Sequence, residues 1–305
     1  MVKEYINKLI ENLPDNIKNT NRTKNIDLVL DGGLFNGSYL VGALTFLKEM
    51  EHKNYIKINR ISGCSIGSIV AFLYYIDALD LMPNLYNIVN EDFKQSYYLK
   101  SVIDLKKHLI NHIPNNICEK INNKLFITYH NIKKGTKIVK SKYSDIDDII
   151  NTIIKSCYIP YLIDGKFLYH DKYIDGVNPY IFNKNPNVKI LYLDLFGYDK
   201  VGYLLNIKNE KTNYHRILSG MLDIHNFFIK QCNTPMCSYV NDWNYINLFW
   251  NNCKIIMEKI SIHIIYILIY LKNNLPNNFK HSITYKIISK IIQDIFIILL
   301  ETYCL

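Results

Sequence analysis

Alanine and arginine are almost missing from this 305-residue chain: three of each occur, Ala43, Ala71 and Ala78, and Arg22, Arg60 and Arg216. The alanine deficit accompanies an excess of Ile, Asn, Lys and Tyr, a skew that follows from AT-rich coding sequence and speaks of ancestry, not chemistry. The scarcity of arginine argues against nucleic acid, whose base edges are read largely by that side chain. The net charge of +9 is therefore nearly all lysine, a balance that suits an anionic membrane surface at least as well. Seven cysteines make an odd set without a CxxC, so neither a disulfide framework nor a zinc ribbon is expected. No apolar h-region opens the chain; residues 1–14 are polar and amphipathic, and the expected setting is reducing and intracellular, cytoplasmic or peripheral to membranes. No stretch offers about 20 uninterrupted apolar residues, which excludes ordinary transmembrane spans. With 49% apolar residues and a mean hydropathy of -0.04, the chain is neither collagen-like nor disordered.

Glycine is scarce too, but unevenly placed. Of twelve, six (Gly32, Gly33, Gly37, Gly42, Gly63 and Gly67) fall in one short window. Glycine adds nothing to packing, so such clustering marks tight turns, positive φ or close backbone approach. The apolar run 26–30, stopped by Asp31-Gly32-Gly33, predicts a buried strand ending in a glycine loop, and residues 37–52 predict the helix after it. A second strand is expected at 55–62, followed by a nearly all-apolar helix over 65–79. Further strands are expected at 125–129, 136–139, 167–169 and 188–195, with helices over 83–123, 145–156 and most of the chain beyond 204. Such alternation predicts an α/β fold with a mainly parallel sheet covered by helices. The expected organisation is an N-terminal helical segment (1–24), a catalytic core (25–203) and a mostly helical C-terminal extension (204–305).

Three short motifs can carry chemistry. Gly63-Cys64-Ser65-Ile66-Gly67 matches GxSxG between a predicted strand and helix, the context of a nucleophile elbow. Its bland reading is a turn in which Ser65 caps the helix. Asp31-Gly32-Gly33-Leu34-Phe35-Asn36-Gly37 can turn several backbone N–H groups toward one point, to hold a phosphate or an oxyanion. No GK[ST] follows, which excludes a P-loop, and the bland reading is a structural turn with Asp31 as a cap. Tyr173-Ile174-Asp175-Gly176-Val177-Asn178-Pro179, downstream of Ser156-Cys157-Tyr158-Ile159-Pro160, is on its own a turn. In this order and spacing the three are far more specific together.

Taken together, these motifs resemble the patatin-like phospholipases over about residues 25–195, and are similar to divergent members from AT-rich large DNA viruses, for which the setting would be a host cell. The family pattern is a glycine-rich loop near [DS]GGGx[KR]G, a GxSxG serine and a DG[GA] aspartate. The resemblance implies a patatin-like core acting as a lipid acyl hydrolase through a Ser-Asp dyad, with Ser65 as nucleophile and Asp175 as its base. It implies Gly32, Gly33 and the Leu34 amide as oxyanion donors, with Asp31, Gly37, Gly63, Gly67 and Gly176 supporting the motifs. A lipid or phospholipid substrate, peripheral membrane contact, no nucleic acid and no metal or other cofactor are expected. Three positions depart from the pattern: Leu34 replaces the third glycine, Asn36 a basic residue and Val177 the Gly/Ala. A lost oxyanion donor costs about 10² to 10³ in rate, so a weak or inactive protein binding lipid surfaces or a partner is the alternative.

Another alternative is an α/β-hydrolase triad with His215 or His225 as base, although both fall in a helical pattern without a loop signature. Asp164-Gly165 reads as a turn, Cys64 as a small buried residue, and His108 with His112 as an exposed helix face. Cys232 and Cys237 make a poor zinc site. Lys133, Lys134, Lys137, Lys140 and Lys142 form a basic hairpin, read as a solvated face or as a dock for anionic headgroups. Residues 255–271 and 283–300 are isoleucine-rich helices, expected to pack on the sheet or on each other, with an interfacial role as the alternative.

Overall fold

A computed structural model describes residues 2–18, 24–197, 200–208, 210–276 and 282–305; the remainder of the expected N-terminal segment, at 1 and 19–23, lies outside the described residues. A seven-stranded mixed sheet forms the centre, ordered β4-β3-β2-β1-β6-β7, with β5 also paired to β3. Strands β1 (Lys24–Leu30), β2 (Ile56–Cys64), β3 (Leu125–Asn131) and β6 (Lys189–Leu193) run parallel. Strands β4 (Thr136–Lys140), β5 (Tyr173–Asp175) and β7 (Cys237–Tyr239) are antiparallel additions. The last five residues of β1 and the last four of β6 are buried without alternation, as expected for parallel strands covered on both faces. A mixed, mainly parallel sheet covered by helices, followed by C-terminal helices, is thus the fold.

Helices α1 (Val2–Glu11) and α2 (Asp15–Lys18) precede β1, and α3 (Gly37–His52) connects β1 to β2. The buried residues Ile6, Ile10 and Ile17 seat the N-terminal pair in the main core. From β2 the chain enters α4 (Ile66–Tyr75), then α5 (Met82–Ser96) and the short α6 (Leu105–Leu109) and α7 (Ile117–Ile121) before β3. Helix α8 (Ile146–Cys157) starts at Asp145, whose side chain accepts the Asp148 amide at 2.7 Å, an N-cap that fits the acids read there. Helix α9 (Tyr214–Lys230) lies along α3. A Cβ on Gly42 would fall 1.9 Å from the Ile217 carbonyl oxygen, so the two backbones meet where only glycine fits.

The strand expected at 167–169 is absent; Tyr169 makes only an isolated bridge to Tyr173. Pairing falls instead on Tyr173–Asp175, too short to show a period. Beyond β7 come α10 (Tyr245–Asn274) and α11 (Ile283–Tyr303). Glu258 is the one buried residue of α10, and Leu300 that of α11, among the described residues. No described helix is long and apolar enough to cross a membrane.

Candidate active site

Strand β2 passes into α4 with only Ser65 between them. Ser65 has φ 50° and ψ -131°, a conformation that costs an L-residue about 1–3 kcal/mol and persists only where the surroundings impose it. The two flanking glycines make it feasible. A Cβ on Gly63 would lie 2.6 Å from the Gly67 carbonyl oxygen, and one on Gly67 would lie 2.6 Å from that of Asp31. The turn is also pinned from outside. The Ser65 amide donates to Ser156 Oγ at 2.9 Å, and that hydroxyl donates to the Thr128 carbonyl at 2.7 Å.

Sheet register brings Asp175 to the same place. Strand β2 ends with Cys64 opposite Thr128 of β3, and the next β3 residue, Tyr129, is opposite Asp175 of β5. β5 therefore takes over the β3 edge where β2 leaves it, and the residue after Cys64 meets the carboxylate. Asp175 Oδ1 accepts the Val177 amide at 2.7 Å. Oδ2 is buried without a hydrogen-bond partner, while the Ser65 hydroxyl is close enough to stabilise the ionised carboxylate. The two side chains are thus neighbours without a hydrogen bond of standard geometry. Burial pushes the Asp175 carboxyl up to about 6, against the pull of Ser65 and the Val177 amide, and the charge of Glu258 adds to the rise. Val177 is left at φ 57°, an unusual state for a β-branched residue.

The glycine loop covers this pair from the β1 side. A Cβ on Gly32 would sit 3.2 Å from Ser65 Cβ, so the loop touches the serine directly. Gly32 itself turns its N–H to Asp31 Oδ1 at 3.0 Å, which removes it from the donors expected there. Phe35 donates to the Leu204 carbonyl at 3.2 Å and Asn36 to that of Gly33 at 2.9 Å. Among the described residues, no protein acceptor takes the amides of Gly33 and Leu34. Leu34 has φ 49°, strained for leucine, and Gly37 opens α3 with Ile66 against it. Gly176 sits so close to Thr128 that a Cβ would be 2.2 Å from its carbonyl oxygen.

Side chains that sequence reading did not single out hold these loops. Lys254 of α10 reaches Asp31 Oδ2 at 2.8 Å and Asp194 Oδ1 at 2.9 Å. The two carboxylates hold the ammonium charged and raise its pKa, despite burial. Asp31 also accepts the Tyr192 hydroxyl at 3.0 Å, and its carboxyl is pushed up to about 6 by burial against the opposing pull of Lys254. One turn further, Glu258 accepts from His130 Nε2 at 2.7 Å, Asn178 Nδ2 at 2.6 Å and Lys137 Nζ at 2.9 Å. Its carboxyl stays below the usual value because these donors outweigh its burial. Asn36, which replaces the family's basic residue, accepts Arg216 Nη1 at 2.7 Å, so a guanidinium from α9 stands behind the loop, itself paired to Glu210.

A cavity beside Ser65 is lined mainly by apolar side chains, among them Leu34, Ile69, Leu85, Tyr86, Leu99 and Ile163. His108, expected on an exposed face, is half-buried and lines it. His215 instead pairs with Glu210 at 3.2 Å and His225 packs on Phe46; neither lines the cavity. Cys64 is buried, with its thiol pKa raised by that burial. Asp164 accepts the Tyr158 hydroxyl and the Lys166 amide, as a turn residue does. Of the hairpin lysines, Lys137 is drawn to Glu258 and Lys140 to Asp148. No group of three metal-ligating side chains occurs among the described residues.

The family model described as patatin-like phospholipase matches residues 28–190, from β1 through the Asp175 loop into β6. Among curated proteins no match was found. The crystal structure of VipD from Legionella pneumophila is similar over 55% of this chain and 49% of that one, at 14% identity and a TM-score of 0.31. The chain spans about half the length of that protein.

Proposed function

The chain belongs to the patatin-like phospholipase family, and on that premise we propose that it hydrolyses lipid esters through a Ser65–Asp175 dyad. The observation that carries the reading is a serine held at φ 50° on a strand-to-helix turn, facing a buried carboxylate with one unpartnered oxygen. Ser65 Oγ attacks the ester carbonyl while Asp175 takes its proton. The amides of Gly33 and Leu34, and not that of Gly32, stabilise the oxyanion. The intermediate collapses, the proton passes from Asp175 to the departing alcohol, and the acyl group stays on Ser65. Water then attacks the acyl ester as Asp175 takes its proton, and that proton passes to Ser65 Oγ as the ester bond breaks and the fatty acid leaves. The apolar lining of the cavity favours an acyl chain over a sugar or peptide. We assign catalysis to the core of residues 25–203, with 204–305 as an extension whose α9 and α10 brace the catalytic loops.

Labelling with a fluorophosphonate probe tests the assignment. We expect the label in the parent protein and none in Ser65→Ala. Asp175→Asn is expected to lower ester hydrolysis by about 10³-fold or more, while His215→Ala and His225→Ala retain it. Loss confined to the histidine variants would replace the dyad with a triad, and an unlabelled parent would leave a lipid-binding protein on a hydrolase fold.

A further inference from the structure

The first half of helix α10 is amphipathic in the inverse sense for a helix packed on a protein core. Its less exposed stripe there is Asn247, Asn251, Lys254, Glu258 and Ser261, and it continues through the half-buried Ile262, Ile265 and Ile269, whereas Trp250, Ile256, Met257, Ile260, Ile264 and Ile267 are exposed. The charged stripe is occupied with the catalytic loops, so the apolar side is left facing outward. Helix α11 is exposed on every side from 286 to 295, with a polar stripe of Lys286, Ser289, Lys290, Gln293 and Asp294 flanked by isoleucines. Fifteen large apolar side chains of α10 and nine of α11 are exposed. That is far more than the patch of a few hundred Å² found on monomeric soluble proteins, and it requires a cover.

We propose that α10 and α11 dock the protein on an anionic lipid bilayer, lying in its interface with their apolar faces at the acyl boundary. Neither helix can cross the membrane, which leaves the in-plane arrangement of amphipathic helices. The charge fits that cover: the exposed ionic residues of the two helices include Lys259, Lys272, Lys286 and Lys290 against Asp294 and Glu301, on a chain of net charge +9. Tyr245, Trp250, Tyr266 and Tyr270 add amphipathic rings suited to headgroup depth. A second copy of the chain would cover one side of a helix, whereas the apolar residues of α11 occupy both flanks of its polar stripe. The dock is also continuous with the cavity. Leu300 of α11 is buried in one cluster with Phe35, Tyr86, Leu99 and Ile163, all of which line the pocket beside Ser65. This continuity rests on the lipid-hydrolase reading; the docking face itself does not.

Co-sedimentation of the full chain with phosphatidylcholine vesicles, with and without phosphatidylserine, tests the dock. Hydrolysis of a water-soluble short-chain ester is followed in parallel. We expect binding that grows with phosphatidylserine and weakens with salt. Ile256→Glu with Ile260→Glu, or Ile288→Glu with Ile292→Glu, should weaken it about a hundredfold, while ester hydrolysis is kept. Both pairs are exposed, so folding is not at stake. A parent that hydrolyses the ester but ignores vesicles overturns the dock and leaves the dyad standing. So does a parent whose same variants convert a dimer to a monomer. Vesicle binding without Ser65-dependent hydrolysis supports the dock and removes the dyad.

Discussion

In the proposed dyad Asp175 acts as a base at neutral pH from a site that burial has made hostile to charge. With its carboxyl raised to about 6, the group is mostly ionised at pH 7 yet basic enough to accept the serine proton. The expected kcat/KM therefore climbs as pH rises through about 6 and levels off above it. Stability runs the other way. Between the unfolded value of 3.8 and about 6, the folded protein holds a proton the unfolded chain has released, so stability falls as pH rises through that window. Asp175→Asn should then stabilise the fold by roughly 3 kcal/mol at pH 7.5, an upper figure, and by almost nothing near pH 3.5. Urea unfolding at the two pH values measures this. A variant no more stable at pH 7.5 would mean that the carboxylate is not held at a cost, and the pH profile would lose its basis.

At the level of elements, two residues one turn apart on α10 reach two different loops of the proposed site. Lys254 anchors Asp31, whose Oδ1 fixes Gly32, while Glu258 holds Asn178 and sits near enough to Asp175 to raise its carboxyl. Both are positioning residues. Lys254→Met leaves Asp31 and Asp194 without their cation, a loss of about 3–5 kcal/mol for a buried pair. It should lower kcat on a soluble ester by tenfold or more while KM changes little. Glu258→Gln keeps a partner for Asn178 but removes a negative charge and leaves Lys137 unneutralised, so the midpoint of the pH–rate profile should move below about 6. An unmoved midpoint would reduce Glu258 to scaffolding. These two residues also mark where the sequence stopped being legible. The GxSxG elbow, the glycine loop and the Asp-Gly turn were readable because each is local turn chemistry, with glycine where backbones nearly touch. The sequence pattern marks an isoleucine-rich stretch starting at residue 255, which leaves Lys254 outside it. Helical periodicity reports which face is apolar and assumes that face goes inward, and over the first half of α10 it does not. The contact from Lys254 to Asp31 spans 223 positions, beyond any local pattern, and β5, at three residues, is too short to show alternation.

Over the whole molecule, order is distributed unequally in a way that follows from what each part buries. Strands β1 and β6 and helix α3 lie in one continuous core, where opening requires nearly global unfolding. Helix α11 is different: residues 286–295 are exposed, and only its end, around Leu300, is packed against the cavity wall. The stretch before the packed end is short enough that, without a packed face, it is marginal as a helix in water. Its backbone hydrogen bonds are therefore expected to open readily in solution and to be protected once the apolar flanks enter lipid. Hydrogen exchange read by mass spectrometry should show Ile283 to Ile295 exchanging quickly without vesicles and slowly with anionic ones, while β1 and α3 stay slow in both. Because the fixed end of α11 shares its cluster with Tyr86 and Leu99, ordering of the helix should also slow exchange in α5, the helix that forms one wall of the Ser65 cavity. Protection of α11 that is equal with and without lipid would show a helix already stabilised by the protein itself, and would detach the order of the cavity wall from the membrane.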